Sequence, residues 1–115
     1  IFEAEVEIWT NKAYLKAVDI LLEVYSEYPD NKIVDDNLAT AYLHLHIETD
    51  DDMYLEEGAK HALKSGRPYN LACVYSQKNN ISKSLKYFKQ SLEEGYENIE
   101  WMMSDPDLKN LRSKI

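Results

Sequence analysis

Glycine and proline are scarce in this 115-residue chain, with three of each. Little of it can therefore be turn or irregular loop. Cysteine is scarcer still. Cys73 stands alone, which excludes an intramolecular disulfide and suits a reducing compartment, with the cytoplasm as the expected location. No apolar run approaches the ~20 residues that a membrane-spanning helix needs, so membrane insertion is not expected, and no signal peptide is visible. Basic charge is also short: 13 Lys and Arg stand against 21 Asp and Glu, a net of −8. That balance argues against nucleic acid, whose phosphates demand a basic surface. The first residue is Ile1 rather than methionine, which points to a processed product or an excerpt of a longer protein.

What is present is tyrosine, nine against two phenylalanines. Tyrosine suits half-buried helix faces, because its ring packs while its hydroxyl stays wet. Charge is present too, unevenly. Residues 1–63 hold 15 acids and 4 bases, whereas residues 64–115 hold 6 acids and 9 bases. Solvated helix faces account for such a split, and an acidic N-terminal surface that attracts a basic partner is the sharper reading.

Apolar spacing is helical almost throughout. Tyr14, Ala17, Val18, Leu21, Val24, Tyr25 and Tyr28 form one stripe, which Pro29 stops. Asp30 and Asn31 then cap a helix expected from Lys32 to Ile47, burying Val34, Leu38, Ala41, Tyr42 and Leu45. Thr49-Asp50-Asp51-Asp52 reads as a loop ending in an N-cap, before a helix over Met53 to Lys64 with Leu55, Ala59, Ala62 and Leu63 inside. Gly66 and Pro68 make a corner. A helix from Pro68 to Lys78 buries Leu71, Ala72 and Tyr75, and Asn79-Asn80 is a tight turn. Ile81, Ser84, Leu85, Phe88 and Leu92 mark the next helix, closed by Gly95. Ser104-Asp105-Pro106 opens a last one, with Leu108, Leu111 and Ile115 on its inner face. No alternating β-branched run predicts a strand.

The chain repeats itself. Asn37-Leu38-Ala39-Thr40-Ala41-Tyr42 returns 33 residues later as Asn70-Leu71-Ala72-Cys73-Val74-Tyr75, identical at four of six positions. Tyr14-Leu15-Lys16-Ala17-Val18 is echoed by Ile81-Ser82-Lys83-Ser84-Leu85. Ile8 precedes Ala17 by nine residues, as Tyr75 precedes Ser84. The small residue lets two helices approach closely, and no single pair can cover its own apolar face, so pairs must stack.

A helix, a turn and a second helix recurring about every 34 residues resembles the tetratricopeptide repeat family. The resemblance spans nearly the whole chain as one domain, with repeats over 1–31, 32–64 and 65–98 and a cap over 99–115. The third repeat carries it best, through Asn70-Leu71-Ala72, Tyr75, Ser84 and Phe88. The second departs from it: its turn is long, its connection to Pro68 is short, and Gly58 is the expected small contact residue. The fold implied is all-α, an α-solenoid of stacked helix-turn-helix hairpins with a C-terminal capping helix, to which Trp101 also contributes.

In that family the first helix of each pair lines a concave groove that binds a peptide. Carried onto this sequence, the groove takes Phe2, Val6 and Trp9 from the first repeat. The second supplies Ile33, Asp36, Thr40, Leu43 and His44, and the third Tyr69, Cys73, Ser76 and Gln77. Thr40 and Cys73 occupy matching places and are expected to face one concavity. Tyr69 with Asp36 would suit a segment offering an apolar side chain beside a lysine or arginine. The carboxylate clamp by which one subfamily grips chaperone C-termini is not implied. Its positions hold Phe2, Val6, Asn37, Gly66 and Asn70, of which Asn37 alone agrees.

Catalytic constellations are not apparent. His44 and His46 diverge by about 200° around a helix and do not readily share a metal; they read as surface or boundary residues. The Asp50–Asp52 run lacks the alternation and central glycine of a calcium loop. Cys73 has no CxxC partner and apolar neighbours, which fits a buried or groove-wall thiol. Three scattered glycines build no phosphate loop. The expectation is a non-enzymatic module without cofactor or metal that binds another protein or peptide. A structural spacer or self-association segment of a larger protein is the alternative.

Overall fold

The computed structural model describes residues 13–95 and 104–114, and within them it is helical with no strand. Helix α1 covers Tyr14–Glu27, α2 Lys32–Thr49, α3 Asp52–Ser65, α4 Pro68–Gln77 and α5 Ile81–Glu93. A 3₁₀ turn, Pro106–Leu108, leads into the short α6, Lys109–Lys114. Neighbours in sequence pack on one another, α1 on α2, α2 on α3 and α4 on α5.

The ends of these helices follow from local chemistry. Asn31 accepts from the backbone N–H of Ile33 at 2.9 Å and starts α2. Asp50 ends it in the left-handed conformation at φ 57°, and Asp51 caps α3 through Met53 N–H at 3.0 Å. Thr49 and Asp52 therefore belong to the helices on either side, and the expected loop is shorter by two residues. Gly66 closes α3 at φ 72°, where a side chain would be strained, and Pro68 opens α4. Asn79 takes φ 60° in the expected tight turn, and Asn80 caps α5.

Helix α2 is the middle of the molecule. It buries nine residues and faces two clusters. Val34, Leu38, Ala41, Tyr42 and Leu45 meet Tyr14, Ala17, Val18 and Leu21 of α1. Ala39 and Leu43 join Leu55, Ala59 and Ala62 of α3, the α4 side chains, and Leu108 and Leu111. A helix apolar on both sides is one packed on both sides.

Three expected core residues are out in solvent: Tyr28, Leu63 and Leu92 are exposed. At the α3 interface the buried place goes to His61 instead, 1% exposed, which donates from Nδ1 to Asp35 Oδ1 at 2.7 Å. A buried histidine and a buried aspartate are tolerable because each is the other's partner.

The close approaches fall where small residues stand. A Cβ on Gly58 would lie 3.2 Å from the Leu43 side chain, so α2 and α3 meet there. Ser84 is fully buried and donates to the Ala72 carbonyl at 2.8 Å, tying α5 to α4. Ala17 is fully buried as well. Its expected neighbour Ile8 lies outside the described residues, as do Trp101 and Ile115.

Candidate partner-binding groove

Helix periodicity puts Ile33, Asp36, Thr40 and His44 on one stripe of α2, and Tyr69, Cys73, Ser76 and Gln77 along α4. Phe2, Val6 and Trp9 lie outside the described residues. The two stripes converge. Asn70 Nδ2 donates to Asp36 Oδ1 across the pair of helices, and Arg67 Nη1 reaches Asp36 Oδ2 at 3.0 Å. His46 Nδ1 donates to Gln77 Oε1 at 2.7 Å.

The α4 half of the expected groove is not open. The C-terminal segment runs over it, and Asp105 and Asp107 supply the acceptors. Tyr69 donates its hydroxyl proton to Asp105 Oδ2. Gln77 Nε2 donates to Asp107 Oδ1 at 2.8 Å, while His44 Nε2 stands 3.6 Å from Asp107 Oδ2. Ser76 Oγ accepts from Leu111 N–H at 3.1 Å, and its carbonyl accepts from Asn110 Nδ2 at 2.9 Å. Leu108 and Leu111 fill the space beneath.

This burial corrects several site assignments. Tyr69, Cys73 and Ser76 are buried, so none offers an open wall to a peptide while the C-terminal segment is in place. Leu43 is buried for another reason. It projects into the α2–α3 contact at Gly58 rather than along the Thr40 stripe. Thr40 is half-buried and returns its hydroxyl proton to the Asp36 carbonyl at 3.1 Å. Ile33, at the start of the stripe, stays open. His44 and His46 sit at the boundary as expected, His44 stacked on the Tyr14 ring with centroids 4.6 Å apart.

Electrostatics follow the burial. Asp36 is raised above the usual carboxylate range by desolvation, with Arg67 pulling it partly back. Asp107 is raised well above that range, first by burial and then by the nearby Asp105, against the Gln77 hydrogen bond. Burial likewise pushes the Cys73 thiol well up, with both aspartates adding to it, so it stays protonated and unreactive. Cys73, Asp105 and Asp107 hold three donor atoms within 4.8 Å of one another, a set that a metal could use. Both carboxylates are already engaged by the chain's own groups: Tyr69 and the Asp107 N–H for Asp105, Gln77 and His44 for Asp107. The arrangement works chemically as a latch for the C-terminal segment.

What stays accessible is the far end of the groove. A cavity of about 340 Å³ opens between the C-terminal ends of α2 and α4 and the C-terminal segment. It is lined by His46, Ile47 and Asp50 at the end of α2, by Ser76 and Gln77 of α4, and by Pro106, Asp107, Lys109 and Asn110 of the C-terminal segment. Sequence reasoning misses this cavity because it depends on where the C-terminal segment lies. The Asp-Pro-Asp-Leu run is the available signal. It reads as a helix start, and nothing local marks its carboxylates as acceptors for groove donors.

No family model matches the chain, and no solved structure gives a significant match. A stretch of 44 residues is 43% identical to a chloroplastic protein of Arabidopsis thaliana; it covers 38% of this chain and 13% of that protein. Among the described residues no helix is long and apolar enough to cross a membrane.

Proposed function

We propose that this chain is a non-catalytic protein-binding module of the tetratricopeptide kind. Its hairpins would stack as a short solenoid and hold a peptide or partner segment at the end of the groove between α2 and α4. The observation that carries this reading is the pairing of α2 and α4. Two helices with the same Asn-Leu-Ala motif are joined side by side through Asp36, Asn70 and Arg67, with a cavity open between their ends.

The preference for a basic segment now rests on other groups. Asp36 is engaged by Arg67 and Asn70, so the receptor for a cation is Asp50 on the cavity wall, helped by the negative ends of α2 and α4. Ile47, 43% exposed, supplies the apolar contact beside it. A reducing compartment such as the cytoplasm suits the single, buried Cys73.

The test is selection of binding peptides from a random displayed library, followed by titration of the recovered peptide. His46→Ala, Ile47→Ala and Asp50→Ala should each weaken binding by about 1–2 kcal/mol, while Leu63→Ala on an outer face leaves it unchanged. Recovered peptides insensitive to all three cavity variants would move the site elsewhere. The spacer reading has one observation in its favour: the chain's own C-terminal segment already covers the α4 side of the groove.

A further inference from the structure

Helix α5 carries lysine where most of the chain favours acid. Lys83, Lys86 and Lys89 recur at spacings of three, share one helix face and are all exposed. No ion pair among the described residues engages any of them. Two of them meet aromatic rings. The Tyr75 and Tyr87 rings stack with centroids 5.6 Å apart and planes 9° from parallel. Lys83 Nζ lies 5.2 Å from the Tyr75 centroid, and Lys86 Nζ 5.3 Å from that of Tyr87. Rings hold ammonium groups in place without neutralising them. The result is a basic plate with an aromatic centre on a protein whose net charge is −8.

The same chain carries the complementary surface. Residues 1–63 hold 15 acids and 4 bases. Within them Asp50 and Asp51 are exposed in the turn between α2 and α3, and Asp52 is exposed at the start of α3. That turn is flanked in sequence by two open apolar side chains, Ile47 at 43% and Met53 at 57% exposure. A methionine thioether packs favourably against a tyrosine ring. Each surface thus joins charge to an apolar contact, and the charges are opposite.

We infer that the lysine face of α5 docks on the acidic α2–α3 turn of a second copy of this chain. The contact is heterologous, since different surfaces of the two copies meet. An anionic lipid surface would satisfy the lysines equally. The second copy is favoured because it brings both the acid and the exposed apolar side chains that the tyrosine pair can cover. The lysine face lies away from the groove, whereas the acidic turn shares Ile47 and Asp50 with the groove cavity. A docked copy and a bound basic peptide would compete there, and the lysine variant tests this contact without touching the groove. Exposed charges are screened over about 10 Å at 0.1 M salt, so the association weakens as salt rises.

Sedimentation velocity on the whole chain over a concentration series tests this. At low salt the sedimentation coefficient should climb with concentration, and at about 0.5 M salt the climb should vanish. The triple variant Lys83→Gln, Lys86→Gln, Lys89→Gln should stay monomeric at both. So should Asp50→Asn, Asp51→Asn, Asp52→Asn, in which asparagine keeps both the cap and the left-handed residue; circular dichroism checks that each variant remains folded. Mixed together, the two variants should form a one-to-one pair, because one retains the lysine face and the other the acidic turn. A native protein that stays monomeric throughout overturns the proposal, as does association that neither variant disturbs or a mixture that fails to pair. A monomeric native protein that binds vesicles of anionic phospholipid reassigns the lysine face to a membrane surface.

Discussion

The α2–α3 and α4–α5 hairpins begin from nearly the same six residues and end up held together by different means. In the first, Gly58 follows Tyr42 by sixteen residues; in the second, Ser84 follows Tyr75 by nine. The seven extra residues are close to two helical turns, so the small residue still returns to face the first helix. Five of them lengthen α2 beyond the motif and three lengthen α3 ahead of Gly58, while the turn between is one residue shorter. The longer hairpin places the buried Asp35–His61 pair at its own interface and packs α1 on its other side. The shorter one shows no such pair among the described residues and takes its cover from Asp105, Asp107, Leu108 and Leu111. Similar local sequence therefore makes a hairpin tied by a buried side-chain pair of its own in one place and a hairpin tied by the C-terminal segment in the other.

Breaking the internal pair should have the largest effect. His61→Leu leaves the Asp35 carboxylate buried without its partner and should cost about 3–5 kcal/mol in a urea titration. Adding Asp35→Leu should recover most of that loss, because two apolar residues need no partner. A double variant as unstable as the single would show that the pair fixes the geometry of α2 on α3 rather than neutralising a charge. On the other hairpin, Leu108→Ala should cost about 3 kcal/mol. Hydrogen exchange should then quicken in α4 and α5 before α1 and α2; uniform quickening would contradict the dependence of the second hairpin on its cover.

Much of this contrast is legible without the structure. The stripes Val34–Leu45 and Tyr14–Leu21 read directly as buried faces, since helical spacing and burial follow the same period. The asparagine turn and the glycine corners are legible from their backbone preferences. Gly58 stands out as the small residue, yet its register cannot be derived, because a two-turn insertion changes the spacing without changing the face. His61 carries no apolar signal, so its burial depends on Asp35, 26 residues away. The groove assignment fails at Tyr69, Cys73 and Ser76 for a related reason. Their helix face is predictable, whereas what lies over that face is set by a segment 35 to 36 residues further on.

The close contacts offer a sharper, smaller test. Gly58→Val and Ser84→Val should each overpack their helix pair and cost about 1–3 kcal/mol. If the two contacts are equivalent, the penalties should agree within about 0.5 kcal/mol. A much cheaper Gly58→Val would mean that the Leu43 side chain gives way and the longer hairpin is the looser of the two.

The latch should also respond to pH. The folded Asp107 carboxyl titrates above its unfolded value, raised by burial and by Asp105. Between the unfolded value, about 3.9, and the folded one, the native state keeps a proton that the unfolded chain has lost, so stability falls as pH rises through that window. Asp107→Asn should match the native protein near pH 3. It should then gain on it as pH climbs, by about 1.4 kcal/mol for each unit of the shift. Parallel pH profiles for the two proteins would show that Asp107 does not carry the effect.

Cys73 reports most directly on whether the C-terminal segment covers the groove. Its thiol is buried beside the carboxylates of Asp105 and Asp107. In the native chain, modification by a thiol reagent should be slow and should match the rate of opening rather than that of an exposed cysteine. In Leu108→Asp, Leu111→Asp, with helix content retained by circular dichroism, the thiol should react at least tenfold faster. A native chain whose Cys73 reacts as quickly as a free thiol would contradict the account, because the groove would then be open and the segment elsewhere.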